Sequence, residues 1–389
     1  MLTLSQIKLV TPAGEIAPSM ALVIGDDGRI VYAGSMAERP TVRGTELDLD
    51  GLLVAPGFID LHTHGGHGVT FGNLDTLAGD LRAYSAWVAA NGVTGFLCSV
   101  AAPDHATLLA TVRAYADLLD ASGFPGAEPL GLHLEGPYLN PEQKGAFNPA
   151  WLRPPEVDEI DALLDAGRGW IHQMTLAPEL PNAAEAAAQL RARGVVAALG
   201  HSAADYATAA AALCGEFTHV THTFNAQRGF HHREPGVIGA VLTSTGVTAE
   251  LIADGIHAHP GAMALLLRCL GPERIVLISD AMAAAGLGDG EYTLAGNVAI
   301  VKDGVAHTPG GAIAGSTTTL DQCVRNVWQL LGIPVADALR MATRNPAKVI
   351  GMKSDLGSLE AGKAANLVVL DTALEVQATW VRGKNVYRR

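Results

Sequence analysis

The 389-residue chain has only four cysteines, Cys98, Cys214, Cys269 and Cys323. They lie far apart and form no C-x-x-C pair, which argues against a disulfide framework or a zinc knuckle and fits free thiols in a reducing compartment. Charge is scarce as well: Asp, Glu, Lys and Arg make up 17% of the residues, against 49% apolar ones. A chain that apolar is not disordered. Basic residues are the scarcer sign, 26 Lys and Arg against 39 Asp and Glu, for a net charge of −13. That balance argues against nucleic acid and anionic membranes as partners. No apolar run reaches the roughly 18 residues of a membrane span. The first residues also lack the charged start and apolar core of a secretory signal. The expectation is a soluble, cytoplasmic protein.

What is present is alternation. Eight β-like apolar runs are predicted at Leu53–Leu61, Thr94–Val100, Leu130–Glu135, Trp170–Leu176, Val195–Gly200, Phe217–His222, Val247–Ala253 and Arg274–Ser279. Helical stretches such as Asp75–Ala90, His105–Leu119, Asn182–Arg193, Asp205–Leu213 and Pro260–Leu270 fit between them. Apolar strands alternating with helices imply a parallel sheet covered on both faces, and eight units predict a closed (β/α)₈ barrel. Tyr292–His307 reads as a hairpin inserted after the eighth strand, with closing helices near Thr318–Leu331 and Val335–Thr343. Both chain ends read instead as short strands and turns, each too small to bury a core alone. They are predicted to pair into one small β-sandwich domain, residues 1–53 plus 357–389, flanking a barrel over 54–356.

The chemistry gathers at strand ends. In Pro56-Gly57-Phe58-Ile59-Asp60-Leu61-His62-Thr63-His64-Gly65, the two histidines sit at i and i+2 of a strand and point to one side. Neutral imidazole is a common zinc or iron ligand, although an H-x-H alone is a weak signal. Glu135 ends the third run, His201 follows the fifth, His222 ends the sixth and Asp280 ends the eighth. In a (β/α)₈ barrel these C-terminal strand ends ring one mouth, where active sites are built. Each residue alone has an ordinary explanation, as a cap or a loop hydrogen bonder. Together they supply nitrogen and oxygen donors for one or two divalent ions, with Asp280 available as acid or base. His133 and His219 read as packing or supporting residues.

A second group reads as substrate recognition. Arg233 lies on the Gly/Pro-bounded loop Phe230–Gly236, where a guanidinium can take an anion. Asp254-Gly255-Ile256-His257 ends strand seven and points His257 into the mouth. Ile313-Ala314-Gly315-Ser316 precedes a helix, a place for backbone N–H groups to meet ligand oxygens.

PGFIDLHTHG, LHLEGPYLN, LGHS, VTHTFNA, REPG, ADGIH, ISDA and IAGS follow one another in that order. The ordered set resembles the amidohydrolase superfamily, and within it the N-acetylglucosamine-6-phosphate deacetylases, nearly end to end. The resemblance implies metal-dependent hydrolysis of an N-acetyl group, giving glucosamine 6-phosphate and acetate. Glu135, His201 and His222 would be the metal ligands common to that family. Retention of His62 and His64 implies a binuclear site bridged by Glu135, with zinc as the expected ion and iron, cobalt or manganese as alternatives. Asp280 would be the catalytic aspartate. Ala146, Asn225, Ala226, Arg233, His257, Ile313, Ala314 and Gly315 match substrate contacts, and Arg233 would reach the 6-phosphate across a homodimer interface. Two positions depart from the pattern: Phe147 stands where a histidine is usual, and Gln227 replaces Met in the Asn-Ala-Met motif. Other amidohydrolases, cyclic amidases or N-acyl deacylases, are the nearest rivals, but many of them bridge their metals with a lysine on strand four. Residues 170–179 contain none. A non-catalytic sugar-phosphate-binding barrel would be expected to lack ligands that are intact here.

Overall fold

The computed structural model describes residues 1–294 and 296–389. Eight strands form one parallel sheet in sequential order: β1 (Phe58–Thr63), β2 (Val93–Val100), β3 (Glu128–Glu135), β4 (Ile171–Leu176), β5 (Val196–Leu199), β6 (His219–Val220), β7 (Thr248–Ile252) and β8 (Ile275–Ile278). Every residue of β1, β2 and β8 is buried, as their unbroken apolar runs require when helices cover the outside and packed side chains fill the inside. The ring closes between the ends of β8 and β1: Asp280 N donates to the His62 carbonyl at 2.9 Å, and His64 N donates to the Ala281 carbonyl at 2.8 Å.

The helices between strands begin where the sequence supplies caps. Asp104 accepts from Thr107 N at 2.8 Å at the head of His105–Ala121, and Asp205 accepts from Thr208 N at 2.8 Å at the head of Tyr206–Cys214. Among the described residues, no helix is long and apolar enough to cross a membrane.

The two chain ends join in a separate eight-stranded sheet. Its middle strand, Leu2–Val10, pairs antiparallel with Ile16–Ile24 and parallel with both Thr45–Asp48 and Leu53–Pro56. Leu53–Pro56 in turn pairs with Leu367–Leu370, carrying the sheet across to the other end of the chain. Leu4, Ile7, Leu22, Ile24, Val369 and Trp380 share its core.

Two expectations are corrected. The run Leu53–Leu61 is not one strand: it divides at Gly57, its first half serving the terminal sheet and its second half the barrel. Gly57 lies so close to β2 that a Cβ there would sit 2.1 Å from Thr94 Cγ2, so only glycine passes between the two sheets. The expected hairpin is a three-stranded antiparallel sheet, Gly290–Leu294, Asn297–Lys302 and Val305–His307. Residue 295 of that segment lies outside the described residues.

Candidate active site and metal centre

The strand-end residues meet. His62 and His64 stand at the end of β1 with both rings on one side, as strand parity dictates. Glu135 is the last residue of β3. His201, His222 and Asp280 lie just past β5, β6 and β8, each with a left-handed backbone (φ +47°, +24° and +48°). Non-glycine residues take that conformation reluctantly and concentrate at functional sites, where surrounding hydrogen bonds hold them. His222 was expected to end a longer strand, Phe217–His222; β6 stops at Val220 instead. Strand parity therefore does not govern His222, whose ring is aimed by the turn.

The donors form two triads, His62–His64–Asp280 and Glu135–His201–His222, each with its ligand atoms within 4.8 Å of one another. Glu135 faces both. Its Oε1 lies 3.1 Å from His201 Nε2 and 3.0 Å from His222 Nε2, and its Oε2 lies 3.0 Å from His64 Nε2 and 3.5 Å from His62 Nε2. Asp280 Oδ1 is 3.3 Å from His64 Nε2 and 3.4 Å from His62 Nε2.

Hydrogen bonds behind the rings decide which nitrogens carry protons. His201 Nδ1 donates to the Gln143 carbonyl at 2.7 Å, and His62 Nδ1 donates to Glu250 Oε2 at 3.1 Å. In neutral rings, both Nε2 atoms are then lone pairs. Yet His201 Nε2 lies 3.0 Å from His222 Nε2, and His62 Nε2 lies 3.3 Å from His64 Nε2, with carboxylate oxygens around all four. Two ring lone pairs converging on carboxylate oxygens suit a shared cation. Imidazole and carboxylate are suitable donors for a divalent metal, so the residues fit one.

The same proximity shifts the titration of these groups. Burial raises the cost of ionising Glu135, but the charge of His62 and bonds from His201 and His222 hold it well below the usual carboxylate range. Asp280 is also lowered: burial opposes this, and His62 and His64 outweigh it. Burial alone would depress His64, but bonds to Asp280 and Glu135 lift it to about 9. Asp60, sealed beneath the site, is pushed up to about 6 by burial, despite hydrogen bonds from Ser279 and from the His62 backbone.

A cavity of about 590 Å³ opens over the cluster. Of the expected substrate contacts, Ala146, Asn225, Ala226, His257, Ile313 and Gly315 line it together with His64, Glu135, His201, His222 and Asp280. Two do not. Ala314 is buried behind the wall, packed with Met282, Leu294 and Val301. Arg233 is exposed on its loop, its guanidinium 2.8 Å from His232 Nε2, and does not line the cavity of its own chain. His62 is completely buried beneath the floor.

The departures from pattern have structural readings. Phe147 is buried in the wall and packs its ring edge-to-face against His201, centroids 5.2 Å apart. Gln227 accepts from Phe224 N at 3.3 Å and donates to the Thr221 carbonyl at 2.7 Å, so it staples the turn that presents His222, Asn225 and Ala226. His133 supports the floor as expected, bonded to Ser99 Oγ at 2.9 Å and Thr175 Oγ1 at 2.8 Å, with its ring edge-on to His62.

Sequence reasoning passed over Lys144 and Glu250. Lys144 lines the cavity; its ammonium bonds only the Gly145 carbonyl, at 3.3 Å, and meets no carboxylate among the described residues. Its place between LHLEGPYLN and Phe147 was the available signal. Glu250 is buried on β7 and had no local signal: nothing in a Thr-Ala-Glu-Leu-Ile strand says what its carboxylate meets.

A (β/α)₈ barrel with imidazole and carboxylate donors converging at its C-terminal mouth defines a metal-dependent hydrolase. Residues 53–386 match the Amidohydrolase family, and the chain belongs to it. It is 41% identical over 360 residues to the N-acetylgalactosamine-6-phosphate deacetylase of Escherichia coli O157:H7, covering 92% of this chain and 94% of that one. It is 39% identical over 332 residues to the N-acetylglucosamine-6-phosphate deacetylase of Vibrio furnissii, covering 85% and 82%. The crystal structure of N-acetyl-D-glucosamine-6-phosphate deacetylase from Mycobacterium smegmatis superposes with a TM-score of 0.91 at 36% identity, over 100% of both chains.

Proposed function

We propose that the chain hydrolyses the acetamide of N-acetylglucosamine 6-phosphate, releasing acetate and glucosamine 6-phosphate. The observation that carries this reading is the complete donor set, two triads joined by Glu135, beneath a cavity sized for an amino-sugar phosphate. His62, His64, Glu135, His201 and His222 would hold one or two divalent ions, zinc foremost, with iron, cobalt or manganese also suited to such donors. When bound, such an ion acidifies water and polarises a carbonyl.

The protein's own groups divide the remaining work. Asp280, ionised and at the cavity floor, takes a proton from the attacking water and delivers it to the departing amine. His257 donates its Nδ1–H to Asp254 Oδ2 at 2.6 Å, which orients the ring and favours the imidazolium, whose Nε2–H can then donate to the acetyl oxygen. The backbone at Asn225–Ala226 and Ile313–Gly315 orients the sugar. Ser316 N donates to the Asp280 carbonyl at 2.8 Å, tying that second segment to the end of β8.

Arg233 does not reach the cavity of its own chain, which supports its use by a second copy in a homodimer. Lys144 then provides positive charge from within the subunit. The net charge of −13 is no obstacle to an anionic substrate, because cations at the mouth set the local potential.

The 41% identical relative acts, by its name, on the galacto epimer, which favours a second reading differing only at the sugar's 4-hydroxyl. Acetate release from both N-acetylated 6-phosphates, with metal content measured on the same preparation, tests both readings. Preference for the galacto substrate would replace the first by the second. Metal-loaded protein that releases acetate from neither would remove both.

A further inference from the structure

Glu250 lies on β7, completely buried, at the centre of the barrel beneath the metal cluster. Its carboxylate accepts four hydrogen bonds. Oε2 takes His62 Nδ1–H at 3.1 Å and the backbone N–H of His222 at 3.0 Å. Oε1 takes Gln173 Nε2–H at 2.8 Å and His219 Nε2–H at 3.1 Å. His219 can donate there because its Nδ1 receives the Thr248 hydroxyl at 2.7 Å. One side chain thus ties strands β1, β4, β6 and β7 together behind the site, and it touches a member of each triad.

We propose that Glu250 is the positioning residue that makes His62 a metal ligand in this chain, and so governs occupancy of the His62–His64–Asp280 triad. An ionised carboxylate can only accept, so it holds the proton on Nδ1 of His62 and leaves Nε2 as a lone pair aimed at the cluster. Among the described residues, His62 has no other polar partner behind its ring. The opposite triad depends on Glu250 much less: the His201 ring is held by the Gln143 carbonyl, and His222 is also fixed by its turn, where Thr223 N donates to the Glu250 carbonyl at 2.9 Å. In Glu250→Gln an amide replaces one of the two acceptor oxygens and sets an N–H₂ against existing donors. If that N–H₂ faces His62, the ring loses the bond that selects its tautomer.

The inference rests on the reading of two metal-binding triads, and the experiment separates the two. Zinc stoichiometry and affinity are measured by chelator competition on wild type, Glu250→Gln, His62→Ala and the double variant. Wild type is expected to hold two ions. Glu250→Gln is expected to bind one of them roughly 10- to 100-fold more weakly, the usual effect of removing a group that orients a ligand. The other should stay at wild-type affinity. In the His62→Ala background, Glu250→Gln should leave the remaining ion unchanged, whereas a general structural defect would weaken it further. Two ions bound with unchanged affinity in Glu250→Gln overturn the proposal, as does equal weakening of both. A wild type that holds a single ion overturns the two-triad reading and the proposal with it. Should Glu250→Gln fail to fold, Gln173→Met removes one of the four donors and keeps the carboxylate. It should lower affinity several-fold at one ion only, and no change would count against the role.

Discussion

Asp280 N donates to the carbonyl of His62 at 2.9 Å, and the Asp280 carboxylate lies 3.4 Å from the Nε2 of that same histidine. The bond that closes the barrel between β8 and β1 therefore also sets the distance between the proposed proton carrier and a proposed metal ligand. Few geometries are better protected from drift, since altering this one means opening the sheet. Packing a reacting group against its partners on rigid strand ends is what keeps it within reach of a transition state.

Asp280→Asn keeps the size of the side chain and its backbone hydrogen bonds while removing its capacity to carry a proton. Turnover is expected to fall by about 10²- to 10⁴-fold, the usual contribution of a positioned acid–base group. Far-ultraviolet circular dichroism and the zinc content of the Glu135–His201–His222 triad should stay at wild-type values. Full activity in this variant would remove Asp280 from the mechanism.

Arg233 is exposed and does not line its own cavity. If it serves the neighbouring subunit, Arg233→Ala should raise KM for the 6-phosphate substrate by roughly 10- to 100-fold, the range of a lost hydrogen bond between charged groups. Lys144→Ala should also raise KM, within each subunit. Mixing Arg233→Ala with Asp280→Asn should recover activity at substrate well below the raised KM, because a hybrid dimer contains one site with both groups. Lack of recovery after verified subunit exchange would mean that Arg233 does not act in trans.

Phe147 packs on His201 at the position where the resemblance to the deacetylases implies a histidine. Phe147→His restores one hydrogen-bond donor to the cavity wall. KM is expected to fall by roughly 2- to 12-fold, a net gain of about 0.5–1.5 kcal/mol, with kcat nearly unchanged. A fall in kcat instead would show that the ring's contact with His201 bears on the chemistry.

Asp254 and His257 form a mostly buried pair at the end of β7. Burial opposes both charges, but the bond between them holds Asp254 below its ordinary 3.8 and His257 above its ordinary 6.5. The Asp254 contribution to stability is present above pH 3.8 and is lost as acid protonates it in the folded state. The His257 contribution is present below pH 6.5 and is lost as pH rises through its raised folded value. Asp254→Asn should therefore lower the thermal midpoint most near pH 5 and progressively less above neutrality. It should also move the alkaline limb of kcat/KM to lower pH. A midpoint loss that is the same at pH 5 and pH 9 would contradict the pairing.

The barrel was legible because its signals are local. Unbroken apolar strands between Ala- and Leu-rich helices have few other ways to be buried, and an H-x-H on a strand must present both rings to one side. Pro260–Leu270 matches its predicted bounds, since a proline at its start and Gly271 at its end are written in the chain itself. The ordering of strand-end motifs named the ligand candidates because barrel topology gathers every strand's C-terminal end at one mouth.

What the chain did not announce are relations between distant residues. Glu250 meets His62 across 188 positions, and no short window of sequence contains that pairing. The ring of His222 follows a left-handed turn rather than strand parity, and that turn is held by Gln227 and the backbone of Glu250. Gly57 divides one apolar run between two sheets because of Thr94, a neighbour only in space. Arg233 follows His222 by 11 residues in sequence but does not line the cavity. Periodicity and cap chemistry act over a few residues, so the sequence alone determined most of the elements, their order and the candidate donors. Direction, tautomer and partnership depend on what packs behind each side chain, and only the closed barrel decided them.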